Sequence, residues 1–500
     1  MKNIQRNVIF TGIGYVLPLL AALLTIPLML KYFGVDQYGL YIICISLIGF
    51  MNFVDLGVGQ AVVKYVTEYE AIGQREKVKP VLDIALMIYI VLGILVVLLL
   101  YVSAPALATF LYDDYHKAQV AQTALRITSG ALFLSYINQF FLNVSRAYHR
   151  FDVPAVIHNS ANIGGIVLSS ILLVLGYSLI EVLWGYVLIQ GIALTSGYFS
   201  SKKVLPEGLH FGLSFDSAIF ANMISFSIYT FIGNFTIALT SRADKLLIGS
   251  IIGTEAVTYY QIPFTIAQMA NGIIYTLVHI LFPRFSELSS LSNKQELFQL
   301  YKNANHIVFF ISALIAVMLI SAGGAFLGIW VSPEFAEKTT LTLQIIAAFS
   351  FINSTQSVAY WAAQGGGQAK LTAAVLVLGA IAYGFGLFYL GRAYSYNGVA
   401  VALFFGLLPY PVLFVWVSRN IGHRMDEFLL LLLTTSLAGA LAIYGLTWLN
   451  NVLGNGFVSI LVDVTLGALA AIIFFWWFWY KKNLKGVTMD SSRAALAVKP

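Results

Sequence analysis

Long apolar stretches follow one another along almost the whole of this 500-residue chain. A stretch of about 20 apolar residues is long enough to cross the hydrocarbon core of a bilayer as a helix. By that measure the sequence predicts membrane spans at 8–30, 39–62, 81–103, 124–145, 155–176, 180–200, 217–250, 257–282, 302–322, 340–362, 371–390, 397–417, 428–449 and 456–479. We therefore expect an all-α polytopic membrane protein with about 14 transmembrane helices.

Composition excludes a water-soluble fold. Hydrophobic residues make up 59% of the chain and charged residues only 10%, against about 25% charged residues in an ordinary soluble domain. The surplus apolar surface must face lipid. The net charge of +6 is explained by membrane orientation, described next, and does not indicate nucleic acid as a partner.

The distribution of lysine and arginine predicts how the chain is oriented. With the N-terminus in the cytoplasm, the predicted loops place twenty of the 28 basic residues on the cytoplasmic side and four on the other. Cytoplasmic loops are enriched in Lys and Arg, and one miscounted span would invert every later loop. Both termini are therefore expected in the cytoplasm.

The two halves of the chain resemble each other weakly at an offset of 219 residues. At that offset Gly34 meets Gly253 and Asp36 meets Glu255. Because both halves begin on the same side, they would form two pseudo-symmetric six-helix lobes around a central cavity, where transporters of this kind bind substrate. The predicted divisions are an N-terminal lobe at 1–205, a C-terminal lobe at 206–420, spans 13 and 14 at 421–482, and a disordered cytoplasmic tail at 483–500.

Three short motifs resemble those of a known transporter family. They are Tyr32–Tyr41 (YFGVDQYGLY), Asp55–Ala61 (DLGVGQA) and Arg242–Gly249 (RADKLLIG). In order and spacing they resemble Wzx-type O-antigen flippases, in the polysaccharide transporter branch of the multidrug/oligosaccharidyl-lipid/polysaccharide (MOP) exporter superfamily. The resemblance implies a bacterial inner-membrane flippase that carries undecaprenyl-diphosphate-linked oligosaccharides from the cytoplasmic to the periplasmic leaflet by alternating access. A polysaccharide polymerase and a chain-length regulator are the partners it implies.

Charged residues inside predicted spans are the main candidates for a substrate site, because such residues are costly in a bilayer. Span 7 carries Arg242, Asp244 and Lys245; Arg242 and Lys245 are expected to share a helix face and to bind a diphosphate, with Asp244 pointing elsewhere. A structural ion pair, or side chains that reach the membrane surface, is the alternative. Four further residues are candidate cavity contacts, with helix packing or a position at the membrane surface as the alternative: Arg126, Asn138, Asn234 and Asn271.

Three residues are candidates for gating or ion coupling: Asp55, Lys64 and Asp244. Asp55 has the alternative of capping a neighbouring helix. The sequence contains no Walker A motif and no cysteine or histidine cluster, so we expect no enzymatic activity, cofactor or metal. Two other functions stay open: a cation-coupled multidrug exporter of the same superfamily, and a membrane scaffold without transport activity.

Overall fold

The computed structural model describes residues 2–53, 57–150, 152–290 and 294–453. From the last predicted span it describes 457–458, 460–467, 469–470 and 473. Asp55 and the predicted tail at 483–500 lie outside the described residues. The described chain is helical, without a β-strand. This confirms the predicted all-α polytopic membrane fold.

Thirteen α-helices are bounded as follows: α1 (Lys2–Phe53), α2 (Val58–Ala71), α3 (Arg75–Leu111), α4 (Tyr115–Ala147), α5 (Asp152–Val174), α6 (Leu179–Val204), α7 (Ser217–Ile251), α8 (Thr254–Ser290), α9 (Lys294–Trp330), α10 (Pro333–Gly365), α11 (Ala369–Ala402), α12 (Pro411–Asn420) and α13 (Met425–Leu453) in the described residues. A 3₁₀-helix, Leu403–Leu407, separates α11 from α12. Residues of the fourteenth predicted span are helical wherever they are described.

Seven segments in the described part are long and apolar enough to cross a membrane: Leu23–Gly49, Arg75–Leu111, Asp152–Val174, Leu179–Val204, Lys294–Trp330, Lys370–Asn420 and Met425–Asn450. Helices α4 and α10, which are described along their whole length, are not among them, although each has 33 residues. Helix α4 carries two of the candidate site residues, Arg126 and Asn138. Polar side chains in such helices face the protein interior or water in preference to lipid.

Two breaks in the helices lie between predicted spans and a third lies inside one. Gly34 (φ +69°, ψ 174°) separates the first two spans within α1, in a backbone conformation that glycine adopts most readily, and Ser395 (φ +55°) separates spans 11 and 12 within α11. Span 12, predicted as one helix over 397–417, is instead broken by the 3₁₀-helix Leu403–Leu407, after which Pro409 and Pro411 cannot donate backbone hydrogen bonds. A hydropathy window detects the apolar run but not these interruptions.

The helices form two compact units, 1–262 with 376–406, and 263–375 with 407–500. In the first, α4 packs against α3 and α6, and α1 packs against α4, α5 and α7. In the second, α9 packs against α10 and α13. These boundaries differ from the lobes predicted from the repeat because α7 contacts α1, α2 and α3. The 219-residue repeat is a property of the sequence, and the lobes stay a prediction.

The surface of α13 carries exposed apolar side chains. None of its most apolar window is buried within the protein. Leu430, Leu433, Leu437 and Leu441 are each about two-thirds exposed and follow one another at helical spacing. A stripe of this kind is stable only against lipid.

The connection between the two repeats is fastened to α3. Asp83, fully buried, accepts hydrogen bonds from Lys79 Nζ at 2.6 Å and from Gly212 N at 2.6 Å. Ser214 donates to the same carboxylate through its backbone N at 3.1 Å and its Oγ at 2.5 Å. A carboxylate with this many donors is stable in its charged form. The segment between α6 and α7 is thus held at one point rather than loosely tethered.

Candidate functional site

Two of the three charged candidates on α7 form a buried ion pair. Lys245 Nζ lies 2.7 Å from the Asp244 carboxylate, and the two side chains are only 4% and 3% exposed. The expectation that Asp244 would point away from Lys245 is wrong. Adjacent residues diverge around a helix, but the flexible lysine stem bends back toward its neighbour. The side chains of Arg242 and Asn234 lie outside the described residues, so the predicted shared face of Arg242 and Lys245 stays a prediction.

Two buried tyrosines lie near Asp244. Tyr260 of α8 is fully buried and Tyr383 of α11 is 8% exposed, and both hydroxyls interact electrostatically with Asp244. All four residues belong to the first compact unit. A buried ion pair is stable only when other polar groups complete its surroundings. The site therefore combines one cation, one anion and two phenols inside a membrane helix bundle.

The two candidates on α4 have different surroundings. Arg126 stacks on the Tyr101 ring, with its guanidinium carbon 4.7 Å from the ring centroid. With the Gln122 amide oxygen turned toward it, Arg126 donates to that oxygen at 3.0 Å. Asn138 is 6% exposed, and its Oδ1 lies where a Cβ on Gly197 of α6 would stand. Twelve residues, about 18 Å of helix, separate Arg126 from Asn138, so they do not share one contact.

The remaining described candidates lie apart from the pair. Asn271 of α8 accepts a hydrogen bond from Ser354 Oγ of α10 at 3.3 Å in the second unit. Lys64 of α2 lines a cleft of about 440 Å³ together with Glu68, Arg146 and His149. Its ammonium also lies 4.5 Å from the centre of the Tyr65 ring. Among the described residues, no group of three or more His, Cys, Asp or Glu side chains is arranged to hold a metal ion.

Asp36, which lies in the first motif but was not among the sequence candidates, joins three turns. Its carboxylate lies 2.8 Å from Lys117 Nζ, accepts from Tyr112 Oη at 3.0 Å, and accepts from Thr254 Oγ1. The hydrogen bond to Asp36 raises the pKa of Lys117 above its ordinary value. The acidic residue shared by the motif and the repeat, where Asp36 meets Glu255, is the signal that could have identified it.

The two turns that meet near Asp36 contact each other through positions that are equivalent in the 219-residue repeat. Thr258 Oγ1 donates to the Val35 carbonyl at 2.7 Å, and a Cβ on Gly39 would lie 1.9 Å from the Thr254 carbonyl oxygen. At the 219-residue offset, Val35 corresponds to Thr254 and Gly39 to Thr258. Each turn thus presents its equivalent positions to the other, as two-fold related surfaces do.

Comparisons with known proteins show the family and the fold of the chain. The family model described as "Polysaccharide biosynthesis protein" matches residues 4–289. A Shigella flexneri protein named "Putative O-antigen transporter" is 20% identical over 83% of this chain and 97% of its own. Among solved structures, the lipid II flippase MurJ in an inward closed conformation has a TM-score of 0.76 at 18% identity, over 95% of this chain and 98% of its own.

An inward-facing multidrug resistance MATE transporter of the MOP superfamily has a TM-score of 0.67 at 12% identity, over 83% of this chain and 98% of its own. At these identities the two structures show the fold alone. The family match spans more than half of the chain. The resemblance seen in the three motifs is thus confirmed, and the chain belongs to the polysaccharide biosynthesis protein family and has the fold of the MOP exporter superfamily.

Proposed function

We propose that this protein is a flippase for lipid-linked oligosaccharides. Its substrate would be an undecaprenyl-diphosphate-linked repeat unit, moved from the cytoplasmic to the periplasmic leaflet of the bacterial inner membrane by alternating access. The product would serve O-antigen, capsule or exopolysaccharide synthesis, with a polysaccharide polymerase and a chain-length regulator acting afterward. The observation that carries the proposal is the buried Lys245–Asp244 pair on α7 in a chain of this family.

The chemistry of the pair suits a charged headgroup. A diphosphate offers several anionic oxygens, so it competes with one carboxylate for the Lys245 ammonium. Tyr260 and Tyr383 hydroxyls beside the pair can exchange hydrogen bonds with phosphate or sugar. Arg242, Arg126, Asn138, Asn234 and Asn271 are proposed as further contacts along the path, and Asp55, Lys64 and Asp244 as gating or coupling residues.

Two observations weigh against the alternatives. The MATE transporter fold covers 83% of this chain and the lipid II flippase fold covers 95%, as expected if spans 13 and 14 are additions absent from drug exporters. Lys245 of α7 can bind an anionic headgroup that displaces Asp244 from it, an interaction that a cationic drug cannot make. A scaffold without transport activity would use the ion pair for structure alone, and variants of Lys245 and Asp244 separate that role from transport.

Gene deletion with complementation tests the function. In a strain without a redundant flippase, deletion should abolish surface polysaccharide and accumulate lipid-linked repeat units on the cytoplasmic side of the membrane. Expression of the intact gene should restore export. Normal surface polysaccharide in the deletion strain would refute the proposal, and altered drug susceptibility alone would favour the multidrug exporter.

A further inference from the structure

Three polar side chains meet inside the second compact unit, apart from the candidate site. Asp463, in the last predicted span, accepts a hydrogen bond on Oδ2 from Ser321 Oγ of α9 at 2.9 Å. The same oxygen accepts from Asn450 Nδ2 of α13 at 3.1 Å. Asp463 is fully buried and Asn450 is 4% exposed. Asp463 lies about 10 Å into its predicted span, at 1.5 Å per residue.

The cluster has two oxygens without a donor. Asp463 Oδ1 and Asn450 Oδ1 are both buried, and neither accepts a hydrogen bond from any described residue. Buried polar atoms in native proteins are nearly always paired. Two unpaired acceptors on residues already bonded to each other therefore indicate that a donor normally lies between them.

Asp463 forms no ion pair with any described residue, and its hydrogen-bond partners there are Ser321 and Asn450. Gly467, one turn further along, packs against Met318 of α9, which directs this face of the last span toward α9. The charged or titratable residues described on α9 all precede Ser321 by at least 15 residues, about 22 Å of helix: Lys294, Glu296, Tyr301, Lys302 and His306. On α13, Asp426 and Glu427 lie in the first turn and Tyr444 is exposed. On α10, Glu334 and Lys338 form their own exposed pair, and Glu337 is exposed.

A single proton satisfies both free oxygens. A carboxylic acid and a primary amide associate through two hydrogen bonds in a ring. One of these is already present, from Asn450 Nδ2 to Asp463 Oδ2. With a proton on Asp463 Oδ1, the acid donates the second to Asn450 Oδ1, and no net charge remains in the bilayer. Two oxygens are few for a metal ion but sufficient for one proton.

We propose that Asp463 is a reversible proton-binding site in the membrane, which holds its proton against the Asn450 amide. Release of the proton leaves a carboxylate that, among the described residues, is stabilised by Ser321 and Asn450, and the proton passes to water. The site itself does not depend on the proposed function. Its use, as a coupling site for translocation, rests on the flippase proposal.

Carbodiimide labelling of the purified full-length protein tests the proposal, because this reagent modifies protonated carboxyl groups in apolar surroundings. Labelled peptides would be quantified by mass spectrometry from acidic to alkaline pH. We expect Asp463 to be labelled strongly at acidic pH and several-fold less at alkaline pH. Asp83 is the matched control, since it is equally buried but accepts from Lys79 and three other donors. It should remain unlabelled.

Infrared difference spectroscopy between the wild type and Asp463→Asn supplies a second measurement. The wild type should contribute a protonated carboxyl band that decreases as the pH rises, and the amide variant should retain the fold because it too can donate to Asn450. The absence of both the label and the band would overturn the proposal. Protection of Asp463 by sodium chloride but not potassium chloride at constant pH would also overturn it, in favour of a metal site. Neither measurement involves glycan export, so the flippase proposal could fail independently.

Discussion

At the scale of single residues, the Lys245–Asp244 pair carries the functional proposal, and its partners make it testable. Both side chains are nearly inaccessible, so removing one leaves the other charge buried and unpaired. Loss of one partner of a buried pair typically destabilises a protein by about 3–5 kcal/mol, whereas removing both is often neutral. The pair can therefore be separated into structural and functional roles.

We predict that Lys245→Ala lowers both the amount of protein in the membrane and glycan export. The double variant Asp244→Asn/Lys245→Met should restore the amount to near the wild-type level but not export, because the cation for the diphosphate is missing. Immunoblotting and surface polysaccharide measurements on the same cells separate the two effects. Recovery of export in the double variant would assign the pair a purely structural role.

His423 gives a prediction about pH. It is 5% exposed and packs against Tyr301, with ring centroids 5.2 Å apart. Burial lowers the pKa of His423 below its ordinary value. The unfolded chain then binds a proton that the folded chain does not, so stability decreases as the pH falls below about 6.5.

We expect the melting temperature in detergent to decrease between neutral and mildly acidic pH, and the decrease to be smaller in His423→Asn. Thermal unfolding of both proteins over the same pH series measures this. An identical pH dependence in the variant would show that other groups govern the transition.

At the scale of elements, the reciprocal contact between the α1 turn and the α7–α8 turn depends on the absence of a side chain at Gly39. A Cβ there would lie 1.9 Å from the Thr254 carbonyl oxygen. The backbone cannot accommodate this overlap without moving the two turns apart. The same movement would lengthen the hydrogen bond between Thr254 and Asp36.

We predict that Gly39→Ala destabilises the protein by about 1–3 kcal/mol, in the range of overpacked sites. Gly130→Ala on α4 is the matched control, because no atom lies within 4 Å of its Cβ position and alanine favours a helix over glycine by about 1 kcal/mol. Melting temperatures in detergent should therefore shift in opposite directions. Equal shifts for the two variants would contradict the reciprocal contact.

At the scale of the whole molecule, the predicted orientation in the membrane, with both termini in the cytoplasm, can be tested by labelling. The chain has a single cysteine, Cys44, which is buried, so Cys44→Ser gives a background for site-specific labelling. Asp113 precedes α4 and Glu207 follows α6, and both are exposed. The distribution of basic residues places them on opposite sides.

In this background, Asp113→Cys should react with an impermeant maleimide applied to cells whose outer membrane has been made permeable. Glu207→Cys should react only after the inner membrane is opened. Labelling would be read by gel shift, with the cysteine-free protein as the blank. The reverse pattern would place the termini outside the cytoplasm.

The sequence predicted the spans well because lipid requires long apolar helices. It predicted the contacts of individual side chains less well, because those contacts depend on the local geometry of each side chain. Asp36 was missed because a carboxylate in a turn between spans bears no insertion penalty. Asp463 does lie inside a predicted span, and its sequence neighbours give no sign of the contacts that it makes with Ser321 and Asn450. The Lys245–Asp244 contact depends on how a flexible stem bends, which helical periodicity does not describe.

The interrupted backbone between α11 and α12 has a consequence for how this part of the protein inserts into the membrane. A broken helix exposes carbonyl groups that lipid cannot satisfy, so this segment is a poor candidate for independent insertion. A Cβ on Gly379 of α11 would lie 2.5 Å from the Gly406 carbonyl oxygen, so α11 covers the break at close range. We therefore expect the broken segment to be stable in the bilayer only while α11 lies beside it.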